Sequence, residues 1–399
     1  MAKKRFIFSV VIISAAALTI AGCRKQMDNT VPKERSCEEI AELYRDIYEG
    51  AAAVSSNDGL SVIRQIAKRL GSFGYAAIDT ENKNQLNMEN SEQIQDFCKS
   101  VEEHQDASAV FFSITETLGF LRFDLTVSED FGGKVHVTRS VLSWIDGMPE
   151  VTDEYSYYAA AWEYTQEGYL FFEEAAPPGY DGPPGYTAVR LKPLEETCRE
   201  LNRNYILPIG YGANNMFLTD WSEEDFGELD FYDLFHLLYP LVYRKDTPYG
   251  LTVDGAVYRV PEEEFGRVIM TYFNIEEDNL RSRTKYLPDE KCYEYYARGF
   301  YDYGNSPNIP YPEVVSRKEN TDGTITLTVN AVWPQRHLGR AMTSETVIRP
   351  LKNGGFQYVS NRVVDWAENV EPDWYEIPNR DKMSSVISAA LLPEAPSCP

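Results

Sequence analysis

The sequence predicts an α+β protein of two domains, each with amphipathic helices packed on a mainly antiparallel sheet. Three observations carry this prediction. Helical stripes come in a group and are followed by runs of short strands, whereas a doubly wound α/β chain would alternate them. Aromatic content is high, with 27 Tyr and 19 Phe, and tyrosine suits half-buried strands. At 399 residues the chain has room for about two to three domains.

The first element is a targeting segment. Lys3, Lys4 and Arg5 precede an almost unbroken apolar run from Phe6 to Ile20. The run is too short for a lasting membrane span and ends in small residues, as a cleaved secretory signal does. Ile20-Ala21-Gly22-Cys23 resembles the lipobox of bacterial lipoproteins. The resemblance implies cleavage between Gly22 and Cys23, lipid attachment at Cys23, and a cell-membrane location facing the extracellular side. Residues 1–22 are then the signal peptide, and 23–35 the lipidated cysteine and its tether. In that tether Arg24, Lys25, Lys33 and Arg35 outnumber Asp28 and Glu34, a polarity that favours anionic headgroups.

Residues 36–206 make the expected first domain. Ser36 and Glu39 form a capping-box pair ahead of Ile40, Leu43, Tyr44, Ile47 and Tyr48 at helical spacing, and Gly50 is placed to end that helix. A second helix is predicted from Asp58 to Gly71, burying Ile63, Ile66, Ala67 and Leu70, and a third from Ser91, presenting Ile94, Phe97, Cys98 and Val101. Each stripe needs a partner surface. Strands at 109–114, 119–126, 134–144, 155–165, 169–174 and 187–191 supply it as a meander, with the helices on one face. The loop Ala176 to Tyr186 repeats Pro-Pro-Gly-Tyr, which excludes a strand and sets Tyr180 and Tyr186 on an extended protrusion. A short helix is expected over Pro193 to Asn202, with proline in its first turn.

Residues 207–248 read as a packed connector. Gly210 and Gly212 lack the third glycine and the strand–helix setting of a dinucleotide site. Asp220 to Tyr239 is acidic and amphipathic, with Pro240 expected to close it. Trp221, Phe226, Leu229, Phe231, Leu234, Phe235 and Leu238 are too many large apolar groups for a free linker. The expected second domain, 249–370, opens with a hairpin turn at Asp254-Gly255. A helix follows from Pro261, with Glu262, Glu263 and Glu264 at its positive end. Strands are expected near 293–301, 313–319, 324–333, 341–349 and 356–364. In the tail, 371–399, Met383, Val386, Ile387, Ala390 and Leu391 form a last apolar stripe.

The formal charge is −24, and −27 without residues 1–22. Such a surface is repelled by phosphate backbones, so nucleic acid is excluded as a partner class. Beyond Cys23, the thiols Cys37, Cys98, Cys198, Cys292 and Cys398 are odd in number and show no zinc-ligand spacing. A Cys37–Cys198 bridge stays open at this stage. His104, His136, His236 and His337 are scattered, and no metalloprotease, serine-hydrolase, P-loop or EF-hand motif is present. The sequence therefore points to no catalytic residues, no metal site and no cofactor.

The segments Thr247–Ile275, Asp322–Val332 and Leu207–Phe235 resemble a family of lipoproteins from Gram-positive gut clostridia, classed as a domain of unknown function. The similarity covers Cys37 to about Val364, and the segment 382–399 lies outside it. The resemblance implies a membrane-anchored extracytoplasmic protein and brings no catalytic residues. The expectation is a non-catalytic binding protein of the cell envelope, held to the membrane by its N-terminal lipid and engaging a protein, peptide or glycan. A glycan or envelope hydrolase and a solute-binding lipoprotein are the alternatives. Ligand sites favour domain junctions and unpartnered aromatics, which nominates Tyr180, Tyr186 and Trp221 as the ligand surface.

Overall fold

Ser36 begins the folded body as the sequence predicts. Its Oγ accepts from the Glu39 N–H at 3.2 Å, and the Glu39 carboxylate accepts from the Ser36 N–H at 3.0 Å. The computed structural model describes residues 35–53, 59–79, 85–175, 179, 185–250, 256–299, 308–364 and 369–376. The expected helix through Gly50 is two pieces, α1 (Cys37–Glu42) and α2 (Arg45–Ala53). The break at Leu43–Tyr44 turns Tyr44 inward, where it is fully buried and its hydroxyl donates to the Leu118 carbonyl at 3.1 Å. Gly50 lies inside α2 and ends nothing.

Helix α3 (Gly59–Ser72) buries Ile63, Ile66, Ala67 and Leu70, the stripe read from the sequence. The next element was not foreseen. Strand β1 (Ala76–Asp79) is wholly buried and so shows no alternation of polar and apolar residues. It leads through α4 (Glu92–Glu102) to β2 (Ala107–Ile114), which it pairs in parallel. The parallel pair needs the crossover that α4 supplies. The rest of the sheet is the expected meander: β3 (Phe120–Val127), β4 (Val135–Ile145), β5 (Met148–Tyr164), β6 (Tyr169–Glu174) and β7 (Tyr186–Arg190), in that order and antiparallel.

The helices cover both faces of this sheet, and the expectation of one covered face is corrected. Strand alternation sends neighbouring residues to opposite sides. Phe111, Phe123, Leu125 and Val137 pack with Ile94, Phe97 and Cys98 of α4. Phe112, Ile114, Phe120 and Leu142 pack with Ile40, Tyr44, Ile66 and Leu70 of α1–α3.

Beyond β7 come α5 (Glu196–Leu201) and a single wider turn over Asn202–Ile206. The acidic stretch from Asp220 is not one amphipathic helix. Trp221–Ser222 is a short strand, β8, and the helix α6 runs Phe231–Tyr243 with Pro240 inside its last turns. Asp230 caps α6 by accepting from the N–H groups of Tyr232 and Asp233, and Arg244 closes it at φ +55. Then follow β9 (Ala256–Pro261), α7 (Glu262–Tyr272), α8 (Glu277–Ser282), β10 (Tyr286–Leu287) and β11 (Cys292–Ala297). The last strands are β12 (Tyr311–Glu319), β13 (Ile325–Trp333), β14 (Leu338–Pro350) and β15 (Phe356–Val363). They divide into a three-stranded sheet, β10-β11-β9, and a five-stranded sheet, β12-β13-β14-β15-β8. Asp254, Gly255, Cys398 and the stripe from Met383 to Leu391 lie outside the described residues.

The described residues from Arg35 onward form one compact unit, so the expected two-domain division is not reproduced. The two large sheets meet through Tyr169, Phe171 and Ala188 of β6 and β7, packed on Tyr311 and Val332. At the same junction lies a buried ionic cluster. The Glu313 carboxylate accepts from the Tyr169 hydroxyl at 2.8 Å, Arg190 at 2.6 Å and Arg199 at 3.1 Å. Burial, and then the Glu313 charge, push the Tyr169 phenol well above its ordinary range, which keeps it a donor. Arg298 makes a second buried pair, with two bonds to Asp233 at 2.8 and 2.7 Å, and it also donates to the Glu376 carbonyl at 3.1 Å. Cys37, Cys98 and Cys198 are free and buried, so Cys37 and Cys198 are not bridged.

Candidate functional site

The turn that makes the candidate site is Asp146-Gly147, with φ of +50 and +77. Two residues with positive φ form the tight hairpin that matches strand twist. They launch β5 from Met148, before the expected start at Tyr155, and so give it 17 residues. That length exceeds what its neighbours cover. From Met148 to Tyr158 the strand pairs with β4 alone, and β6 joins it only at Ala159. Among the described residues no strand lies along the other edge of that stretch. The stretch runs about 30 Å at the usual rise per residue.

Most side chains along it are exposed, and its charged ones are of one sign. Glu150, Thr152, Asp153, Glu154 and Ser156 are solvent-exposed, as are Met148, Val151 and Tyr158 at 57%, 37% and 44%. β5 carries Glu150, Asp153, Glu154 and Glu163 and no lysine or arginine. Cross-strand bonds fix the polar row: Ser140 Oγ donates to Glu154 at 2.9 Å, and the hydroxyls of Thr138 and Ser156 are 2.8 Å apart. On the opposite face Arg139 donates to the Tyr155 hydroxyl at 2.8 Å, and Tyr155 donates to Glu174 at 3.0 Å. Burial pushes the Tyr155 phenol up, and its bond to Glu174 does so further. Phe131, His136 and Tyr158 form an aromatic cluster at the far end, with ring centroids 5.2 to 5.9 Å apart.

Where β6 takes over, a second group of polar residues gathers. Tyr186 sits opposite Glu173 in the β6–β7 ladder, so the two share a face. The Glu173 carboxylate lies 3.2 Å from Nε2 of His337, and Glu163 lies 3.9 Å from its Nδ1. The imidazole stacks on Phe171 at 5.8 Å. His337 is held there by the left-handed turn between β13 and β14, at φ +53. The sheet junction thus brings Glu173, the cross-strand neighbour of Tyr186, to a histidine about 160 residues away, a proximity that no local sequence pattern carries.

Of the ligand-surface residues expected from sequence, Tyr186 alone stands on this rim, half-buried at the start of β7. Tyr180 lies outside the described residues, as do Gly22 and Cys23. Trp221 is corrected to a core residue. It is 4% exposed, its indole N–H donates to the Met216 carbonyl at 2.9 Å, and it packs against Phe226 and Phe273. The apolar residues that marked 207–248 as a packed connector fill the core beside β8 and α6. Sequence reasoning missed the β5 edge, although Asp146-Gly147 and four acids without a base were legible signals.

Two grooves lie elsewhere. One of about 680 Å³ runs between α2 and α3, beside the Arg69–Asp46 ion pair. The other, about 430 Å³, is bordered by Arg336 and the segment 370–376. Neither contains a residue expected from sequence. Among the described residues no group of three or more His, Cys, Asp or Glu side chains is placed to hold a metal ion. No described helix is long and apolar enough to cross a membrane.

These features define the class of the fold: an α+β body with helices on both faces of a mixed sheet and a second sheet docked at its β6–β7 end. The chain belongs to the family described as "Family of unknown function (DUF6070)", whose model matches residues 31–377. No curated protein matches it, and no solved structure matches it.

Proposed function

We propose that this protein is an extracytoplasmic lipoprotein, anchored to the cell membrane by lipid on Cys23, whose folded body is a non-catalytic binding module of the cell envelope. The observation that carries the anchor is the agreement of three sequence features: the Lys3-Lys4-Arg5 charge, the apolar run to Ile20, and the small residues Ala21 and Gly22 ahead of Cys23. The binding role draws support from the exposed acidic and aromatic rim along β5, which ends at Tyr186 and His337. Exposed aromatics and unsatisfied strand edges are recurrent recognition features.

Fractionation of cells expressing wild type and Cys23→Ala tests the anchor. Wild type is expected in the membrane fraction with a diacylglycerol mass on its N-terminal cysteine, and the variant is expected to lose both. Wild type recovered wholly in the soluble fraction without lipid mass overturns the anchor. Glycan and peptide arrays test the binding role, with Tyr180→Ala and Tyr186→Ala together as the probe of the loop. Turnover of an arrayed glycan by wild type would replace this reading with the hydrolase.

A further inference from the structure

We propose that the edge of β5 from Glu150 to Tyr158, along which no described strand runs, binds an extended cationic peptide by strand addition. This rests on the binding-module reading and names its partner by chemistry. The backbone supplies the first half of the argument. A strand edge bonded on one side presents a row of N–H and C=O groups that another extended chain can complete. β6 runs antiparallel along β5 and reaches Glu174 opposite Ala159. An added strand lying beside Glu150–Tyr158 would pair along the stretch that no described strand covers.

Charge selects the occupant. The groups facing such a strand are Glu150, Asp153 and Glu154 of β5 and Glu174 of β6, with Arg139 already engaged by Tyr155. A second copy of this chain would set the same carboxylates against one another, and like charges opposite each other destabilise a strand pair. A partner with lysine or arginine at alternate positions meets Glu150, Asp153 and Glu174, which share the Arg139 face with the half-buried Tyr155 and Tyr157. Its other row of side chains falls beside Val151, Ser156 and Tyr158 on the opposite face, where Glu154 is already bonded to Ser140. Phe131, His136 and Tyr158 offer an aromatic end-stop to an apolar or aromatic residue of the partner. The length of the edge fits about nine residues of extended chain. Acidic residues on an edge also guard against aggregation, and that role alone would leave the edge empty in the presence of a cationic peptide.

The test uses the full chain in detergent and a fluorescent nine-residue peptide of alternating lysine and valine, with an alternating glutamate and valine peptide as control. Binding is read by anisotropy at low salt, and backbone amide exchange is read in parallel. The expected result is binding of the lysine peptide alone, weakening with added salt, with slowed exchange confined to residues 150–158. The triple variant Glu150→Lys, Asp153→Lys, Glu154→Lys should weaken binding at least tenfold while its far-UV circular dichroism stays that of wild type. Binding that survives the reversal, or that leaves exchange along β5 unchanged, overturns strand addition. So does absence of binding. The binding-module reading is then judged separately on the arrays, where a glycan or an uncharged peptide can still bind a chain whose β5 edge stays empty. A dimer that forms through β5 without peptide overturns the cationic partner in favour of a second copy.

Discussion

Replacing Glu313 by glutamine should be among the most damaging conservative changes in the chain. The carboxylate is 3% exposed and is shared by Arg190, 5% exposed, and Arg199, 2% exposed. It also accepts from the Tyr169 hydroxyl. Glutamine keeps one carbonyl acceptor but turns an amide NH2 toward a guanidinium or a hydroxyl, and it removes the charge the two arginines share. Breaking a buried ion pair from one side costs about 3–5 kcal/mol. Three bonds to a charged acceptor, at about 1.5–3 kcal/mol each, would sum to more, and the retained acceptor brings the loss back into that range. The cluster sits where β6 and β7 meet β12, so the loss should loosen both sheets together. Urea unfolding followed by tryptophan fluorescence and by circular dichroism measures it, and the two probes should shift together. A control combining Glu313→Leu, Arg190→Met and Arg199→Met should recover part of the loss, because no charge is then left to desolvate. A Glu313→Gln variant within about 1 kcal/mol of wild type would refute the reasoning.

Two further outcomes follow from the geometry. Trp221→Ala should cost about 3–5 kcal/mol, the range for deleting a buried indole, and it should leave any array binding of the folded protein unchanged. A loss of binding without a loss of stability would restore Trp221 as a ligand residue. For Glu294, burial raises the carboxyl, but bonds from Lys285, Tyr296 and Arg259 outweigh it and lower it to about 2. A depressed carboxyl stabilises the fold above its unfolded value of about 4.3, and the gain is lost as pH falls through about 2. Arg259 and Lys285 are 37% and 51% exposed, so screening holds the gain to about 1 kcal/mol or less. Acid titration of stability should therefore be slightly flatter in Glu294→Gln between pH 4 and 2, and an identical titration would remove Glu294 from the account.

Local pattern in the sequence determined the pieces of this protein. The Ser36–Glu39 capping box, the α3 stripe of Ile63, Ile66, Ala67 and Leu70, and the meander from β2 to β7 all rest on neighbours within a few residues. Their energetics are complete at that range: a cap bonds three residues on, and a helical stripe repeats every three or four. Tertiary structure decided what those pieces pack against. β1 escaped notice because burial on both sides removes the alternation that marks a strand. Helices cover both sheet faces because Phe111 and Phe112 are equally apolar and point opposite ways. Trp221 read as a spare aromatic because Phe273, which packs against it in the core, lies on a remote element. Glu313 looked like one acid among 62 acidic residues, and only the meeting of β6, β7, α5 and β12 surrounds it with two arginines and a tyrosine. The β5 edge lacks a second described strand for the same kind of reason. Whether a strand has a neighbour is a property of the whole sheet, and no residue within β5 encodes it.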